Sequence, residues 1–248
     1  MSKPVRVLVT GSSGRVGRAA VAELLRRGHT VRGFDLTPTR GLDDCVTGTL
    51  ADRAALDRAM EGIGCVIHLA ATPDDADFLG ELLPNNITGL FHTMEAARCA
   101  GVRRMVLASS GQVNWWQQFT GPFPIRPEDP VSPKAWYAAT KMFMESIGRT
   151  FVEMHGMSVF VARLGWCPRT PEQVAEIAAS EHFRDVYFSP GDVGRFFACC
   201  VEAPENVRHA VVYGVSRALV QAKFDLSSAE KLLGYVPQES WPQGSMDF

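Results

Sequence analysis

The chain has 248 residues, 46% of them hydrophobic and 21% charged, with 25 Lys+Arg against 27 Asp+Glu and a net charge of −2. That balance suits a globular protein able to bury a full core and excludes a disordered, collagenous or disulfide-dependent one. Without a Lys/Arg block there is no electrostatic footprint for a phosphate backbone, so no nucleic-acid partner is expected and a small neutral or anionic ligand is.

The first two-thirds alternates short β-branched runs with longer helical patterns, the signature of a parallel sheet with crossover helices. Strands are expected at 5–9, 30–35, 65–69, 104–108 and 158–162, near-continuous apolar runs suited to strands covered on both faces. Helices are expected near 15–27, 52–61, 86–100 and 133–155, the second capped by Asp52 and the third by Asn85 or Asn86. The long stretch 111–133 carries Trp115, Trp116, Phe119 and five prolines. It reads either as a lid packed by its own aromatics or as a loop whose Trp115 or Trp116 lines a substrate pocket. Beyond Leu164 the pattern gives helices near 171–182, 192–201 and 227–233 and a strand at 210–213. The six cysteines, Cys45, Cys65, Cys99, Cys167, Cys199 and Cys200, show no C-x-x-C and no His at ligand spacing. They are read as reduced packing residues of a cytoplasmic protein without a metal. No signal-peptide core follows Met1, and no apolar stretch approaches the roughly 18 residues of a membrane span, so no membrane partner is expected.

The first strand runs into Thr10-Gly11-Ser12-Ser13-Gly14-Arg15-Val16-Gly17 and then a helix with Val16, Ala20, Val21, Leu24 and Leu25 on one stripe. Glycines at G-x-x-G-x-x-G let the backbone turn tightly and let a pyrophosphate approach, while the free N–H groups of the helix start meet its charge. An ordinary tight turn is the plainer reading of the triplet alone. Asp35, eighteen positions after Gly17, closes the second strand where a carboxylate accepts from adenosine ribose hydroxyls and repels a 2′-phosphate. That favours NAD over NADP, with Arg32 and Arg40 near in sequence. The fold expected is α/β, a doubly wound, Rossmann-like parallel sheet. Residues 1–164 form the dinucleotide-binding domain and 165–248 a small substrate lobe, with 190–215 adding back to the core. Tyr137 and Lys141, at i and i+4 of one helix, project from one face, where an ammonium favours the phenolate. Ser109 and Ser110 close the fourth strand, where a hydroxyl can reach the same substrate oxygen.

The glycine turn, Asp35, Asp52, His68-Leu69-Ala70-Ala71, Asn86, Ser110, Tyr137 and Lys141 occur in the order found in short-chain dehydrogenases/reductases of the extended, epimerase-like branch. The segment from Leu226 to Pro237 also resembles that branch's C-terminal part. The resemblance implies that Ser110 orients a substrate hydroxyl, Tyr137 is the acid/base, and Lys141 holds the nicotinamide ribose and lowers the Tyr pKa. It also implies that Asp52 with Leu50 or Ala51 flanks the adenine, and that Leu69, Ala70, Ala71, Asn86 and Ala108 lie along the cofactor beside Gly11, Ser13, Gly14, Arg15, Val16 and Gly17. Within the branch, 86–90, 95–98, 108–110 and 164–167 look most like uronate dehydrogenases, which oxidise the anomeric hydroxyl of a hexuronate. Two departures break that pattern: Gly111-Gln112 stands where those enzymes have Asn-His, and Trp166 where they have a small Ser.

The reaction expected is hydride transfer from a sugar or sugar-acid hydroxyl to NAD in a homodimer. An NAD-retaining epimerase and a non-catalytic dinucleotide sensor are the alternatives. The carbohydrate pocket is expected at Thr72, Gln112, Trp166 and the Trp115-Trp116 loop, with Arg169, Arg163 or Arg184 near any carboxylate. His68, at an apolar strand end, is read as a hydrogen-bonded core histidine.

Overall fold

A computed structural model describes residues 3–247. Along them run β1 (Arg6–Thr10), α1 (Arg15–Arg26), β2 (Thr30–Asp35), β3 (Cys45–Thr47), α2 (Arg53–Met60), β4 (Cys65–His68), a π-helical segment (Phe78–Thr88) and α3 (Gly89–Cys99). Next come β5 (Arg104–Ser110), a 3-10 turn (Gly111–Asn114), α4 (Gln117–Thr120), α5 (Trp136–His155) and β6 (Ser158–Leu164). The chain finishes with α6 (Pro171–Ala179), α7 (Glu181–Asp185), α8 (Pro190–Glu202), β7 (His209–Gly214) and α9 (Ser227–Leu233). The seven strands make one parallel sheet in the order β3-β2-β1-β4-β5-β6-β7. The chain lays strands outward from β1 to β3, then returns to place β4 on the other flank of β1. At such a reversal a crevice opens beyond the carboxyl ends of the two strands.

Alternation along the strands sorts the core into two layers. Val7, Val9, Ile67, Val106 and Phe160 face α1, α8 and α9, while Leu8, Val66, Met105, Leu107 and Val159 face α2, α3 and α5. Burial on both sides is why these strands read as continuous apolar runs. A third, smaller core of Ile125, Val186, Tyr213, Val215 and Phe224 sits at the far edge, with Tyr213 and Phe224 stacked at 4.3 Å. Main-chain bonds from Ile125 N to Lys223 O and from Asp225 N to Ile125 O, both 2.8 Å, pin the long loop to the C-terminal segment. β7 and α8 belong to the main layers: β7 is the seventh strand, and α8 joins α1 in the first core. No helix among the described residues is long and apolar enough to cross a membrane.

The elements depart from their sequence reading in four places. β3 is too short, at three residues, to announce itself by periodicity. The helix expected from residue 86 begins instead at Phe78 in π form, its start capped by Asp77, which accepts from Gly80 N at 2.5 Å. Neither Asn85 nor Asn86 is a cap, because both side chains are engaged with Thr72. The helix expected from 133 begins at Trp136, after Pro130 and Pro133 have held the chain extended. The helix expected over 171–182 breaks at Ser180, which ends α6 and caps α7 by accepting from Phe183 N. Asp52 does cap α2, accepting from Ala55 N at 2.9 Å.

Arg163, one of three arginines considered for a substrate carboxylate, is a structural residue instead. It lies in β6 with its side chain 4% exposed, forked onto Glu145 of α5 at 2.8 and 3.0 Å. Its remaining donors reach Asn114 Oδ1, Pro127 O and the Tyr213 hydroxyl, and Ser109 donates to the same Glu145 at 2.7 Å. Removing one partner of such a pair leaves the other buried and unpaired. Arg163→Ala is therefore expected to lower unfolding free energy by about 3–5 kcal/mol in denaturant titration, while the folded fraction keeps its cofactor affinity.

Candidate active site

The turn after β1 is shaped by what glycine lacks. Gly11 has φ +70°, and a Cβ there would stand 2.8 Å from Ala70 N; a Cβ on Gly17 would overlap the Gly11 carbonyl oxygen. The backbones of β1, α1 and the loop after β4 thus meet at a distance no other residue allows. Gly14 starts α1 without a side-chain cap, and no acidic residue lies in the first turn. The N–H groups there remain turned to the cleft, as an anion site requires. Arg15 lines the cleft, but its guanidinium is turned to the carbonyls of Pro168, Gly244 and Ser245.

Asp35 stands on the same cleft, its carboxylate fixed by Ser13 N at 2.9 Å and Leu36 N at 2.7 Å. Arg32 is drawn away from it to Asp44 and the carbonyls closing α2, and neither Arg32 nor Arg40 is on the cleft wall. The cleft measures about 770 Å³ and runs from the glycine turn past Asp35 and the ends of β4 and β5 to the segments that follow β6. Ser13, Val16, Leu50, Leu69, Ala70, Ala71 and Ala108 line it with the glycines. Ala51 and Asp52 do not: Asp52 is committed to capping α2, and Gly48 and Thr49 stand beside Leu50 on the wall instead. Asn86 is buried behind the wall, where it clamps Thr72 N and O and reaches Thr140 Oγ1.

Ser110, Tyr137 and Lys141 converge at the middle of this cleft. The Ser110 hydroxyl stands near enough to the Tyr137 phenol to lower its pKa, and Lys141 Nζ lies 5.3 Å from the Tyr137 ring centre while donating to Ala108 O at 2.8 Å. Burial, with the nearby charge of Asp74, pushes the Tyr137 pKa up, and Ser110 opposes this. Burial pulls Lys141 down to about 8. Asp75 takes the Tyr137 backbone N–H at 3.1 Å and so sets the start of α5. His68 is a core residue: its Nδ1 is 2.9 Å from Thr10 Oγ1, and burial, then Lys141, hold its pKa near 3.

At the outer end stand Gln112, Trp115, Trp166 and Arg169, with Trp166 edge-on to Phe183 at 4.7 Å. Trp115 packs against Phe119 and also lines the cleft, whereas Trp116 is 60% exposed and off the cleft wall. Thr72, expected at the substrate, is outside the wall, with its N–H and hydroxyl taken by Asn86 and Asn85. Pro73 and Asp74 occupy that stretch of wall. Arg184 is off the cleft, bonded to Ala178 O. Asp74, Lys134, Phe183 and Phe224 also face the cleft and were not singled out from the sequence; for Asp74 the signal was its place beyond a strand end at the switch point. Among the described residues no group of three or more His, Cys, Asp or Glu could hold a metal.

A model of the NAD dependent epimerase/dehydratase family matches residues 7–166. The chain belongs to that family. It is 31% identical over 252 aligned positions to an L-arabinose 1-dehydrogenase (NAD(P)(+)) of Haloferax volcanii, covering 95% of this chain and 97% of that protein. It is 27% identical to a uronate dehydrogenase of Pseudomonas putida, covering 95% of this chain and 84% of that one. Among solved structures, a glucuronic acid dehydrogenase from Chromohalobacter salexigens superposes with a TM-score of 0.80 at 28% identity, over 96% of this chain and 86% of that one. A tyrosine-to-alanine mutant of an Agrobacterium tumefaciens uronate dehydrogenase complexed with NAD gives 0.77 at 27% identity, over 95% and 85%. The family membership and the Rossmann-like sheet agree with the resemblance seen in the motifs.

The buried ammonium carries a test. Below pH 8 a charged Lys141 is held where water is excluded; between about 8 and its ordinary 10.5 the folded state sheds the proton before the unfolded state does, so this burden lifts as pH rises. Lys141→Met is expected to be more stable than the parent at pH 7 by roughly 1–3 kcal/mol, the gap closing towards pH 10.5. Melting curves of both proteins across that range check it, and a gap independent of pH is the contrary result.

Proposed function

We propose that this chain oxidises a hydroxyl-bearing carbon of a free sugar or sugar acid, with NAD accepting the hydride. The observation that carries this is the convergence of Ser110, Tyr137 and Lys141 on one cleft with the glycine turn and Asp35. The turn fits a dinucleotide: a Cβ at Gly11 or Gly17 would fill the cradle, and α1 presents uncapped N–H groups to it. Gly11, Ser13, Gly14, Arg15, Val16 and Gly17 would hold the pyrophosphate, Asp35 the adenosine ribose, and Lys141 the nicotinamide ribose.

Tyr137 is the base. Burial, then Asp74, hold its phenol protonated, and Ser110 and Arg169 oppose them; a charged Lys141, with Nζ 5.3 Å from the ring centre, would favour the phenolate that the reaction needs. Ser110 orients the substrate hydroxyl, and Tyr137 takes its proton. Gln112, Trp166 and Arg169 bound the sugar, a wall supplied by residues 165–189, 216–247 and the loop after β5, which together form the substrate lobe. Relatives named for L-arabinose and for uronates support a small free sugar over a nucleotide sugar. The same reading makes the protein a cytoplasmic homodimer: its six cysteines are all free, and Phe91 and Phe143 stand exposed on α3 and α5.

Tyr137→Phe is expected to keep NAD affinity within a few-fold and to lower kcat by roughly 100-fold or more, read from NADH absorbance with a panel of aldoses and uronates. Turnover near that of the parent would mean that Tyr137 is not the base, and NADH that stays bound through the cycle would point to an epimerase. For the cofactor, wild type should bind NAD more tightly than NADP, and Asp35→Ala should narrow that gap roughly tenfold. Titration of both cofactors decides it.

A further inference from the structure

Asp74 is, among the described residues, the only one other than glycine with a left-handed backbone, φ +61°. Aspartate tolerates this region better than most residues, yet such a conformation persists only where the surroundings fix it. Here the carboxylate does so. One oxygen accepts from Gln112 Nε2 at 3.2 Å and the other is ion-paired with Arg169 Nη2. Gln112 follows β5 and Arg169 follows β6, so Asp74, beyond β4, ties three strand ends together on the cleft wall. It does so close enough to Tyr137 for its charge to act on the phenol.

Resting on the dehydrogenase reading, we propose that Asp74 is a specificity-determining residue, which neutralises Arg169 and offers its carboxylate to sugar hydroxyls so that the cleft selects an uncharged aldose over a hexuronate. The pair is about half exposed, with Arg169 at 40% and Asp74 at 48%, and so presents an acceptor and donors side by side to vicinal hydroxyls. A hexuronate carboxylate entering beside Tyr137 meets a guanidinium already neutralised. It must either displace Asp74 or lie against it, and both bring like charges together. The other cations of the cleft are placed elsewhere. Lys141 is on Ala108 O, Arg15 turns to main-chain carbonyls near the glycine turn, and Lys134 stands over the Trp115 ring, 4.2 Å from its centre. Glu176 adds a further negative charge to the lining.

The test compares kcat/KM with NAD for L-arabinose, D-glucose, D-glucuronate and D-galacturonate in wild type, Asp74→Asn and the double variant Asp74→Asn/Arg169→Gln. Asparagine keeps the shape and tolerates the left-handed backbone while removing the charge. Wild type is expected to favour an aldose over both hexuronates by about tenfold or more, and Asp74→Asn to move that ratio towards the hexuronates by a similar factor, because Arg169 is released. The double variant is expected to lose that gain. A wild type that prefers a hexuronate, a ratio that Asp74→Asn leaves within about twofold, or a gain that survives loss of Arg169 each overturns the proposal. Melting temperature and NAD affinity show which variants are folded, and Asp74→Gly, relaxed at positive φ, replaces Asp74→Asn if that variant is not. If wild type reduces NAD with none of the four sugars, the dehydrogenase reading falls, and this proposal with it; turnover without the expected ratios removes only the assignment of Asp74.

Discussion

Where β1 gives way to α1, three stretches of backbone pass one another with no room for a Cβ. Gly11 lies against Ala70 just past the end of β4, and Gly17 lies against the Gly11 carbonyl. This close approach lets α1 start at the rim of the sheet instead of above it. The open first turn of the helix, Asp35 at the end of β2 and Ala70 beyond β4 therefore border one crevice. A larger residue at either glycine would push α1 outward, and with it α8, which packs on the same side of the sheet.

The candidate site is also arranged so that its polar groups are held by partners outside it. Ser109 and Arg163 share Glu145 behind β5 and β6, Asn86 clamps Thr72 behind the loop after β4, and Asp75 takes the first free N–H of Tyr137. Apart from the exposed Asp75, these are buried or half-buried polar groups satisfied within the protein, as low-dielectric surroundings require. They leave Ser110, Tyr137 and Lys141 at fixed positions. Lys141 is the exception in charge: among the described residues no carboxylate is ion-paired with it, its ammonium donates to Ala108 O, and burial draws its pKa to about 8. Burying an ammonium beside a phenol costs stability, and on the proposed reading it is the price of a positive charge next to the base.

The outer end of the cleft is built differently, from rings and loops. Tyr213 and Phe224 stack beneath it, Phe183 meets both Trp115 and Trp166, and the paired Asp74 and Arg169 close the wall. The helices here are short, and the segments come from four distant parts of the chain. A fold shared with enzymes of several substrates can vary this end while the sheet and the glycine turn stay the same.

Much of this was legible in the sequence because it is local. A glycine triplet, a carboxylate closing the next strand and a Tyr–Lys pair one helical turn apart are fixed by the geometry of single elements, and apolar runs of the right length announce strands covered on both faces. The π-helical start before α3 was not legible, since Asp77 rather than an asparagine caps it, and side-chain competition of that kind follows no period. Nor could the sequence choose among Arg163, Arg169 and Arg184, or between Trp115 and Trp116. Each is similar in type and spacing, and only the packing of β6, α5 and the loops buries one arginine on Glu145, turns another to the cleft and leaves the third on a helix carbonyl. Local chemistry was determined by the sequence alone; which of its polar side chains meet across the cleft was decided by how distant loops close over one sheet edge, because contacts between loops depend on the whole fold and on no repeat within the chain.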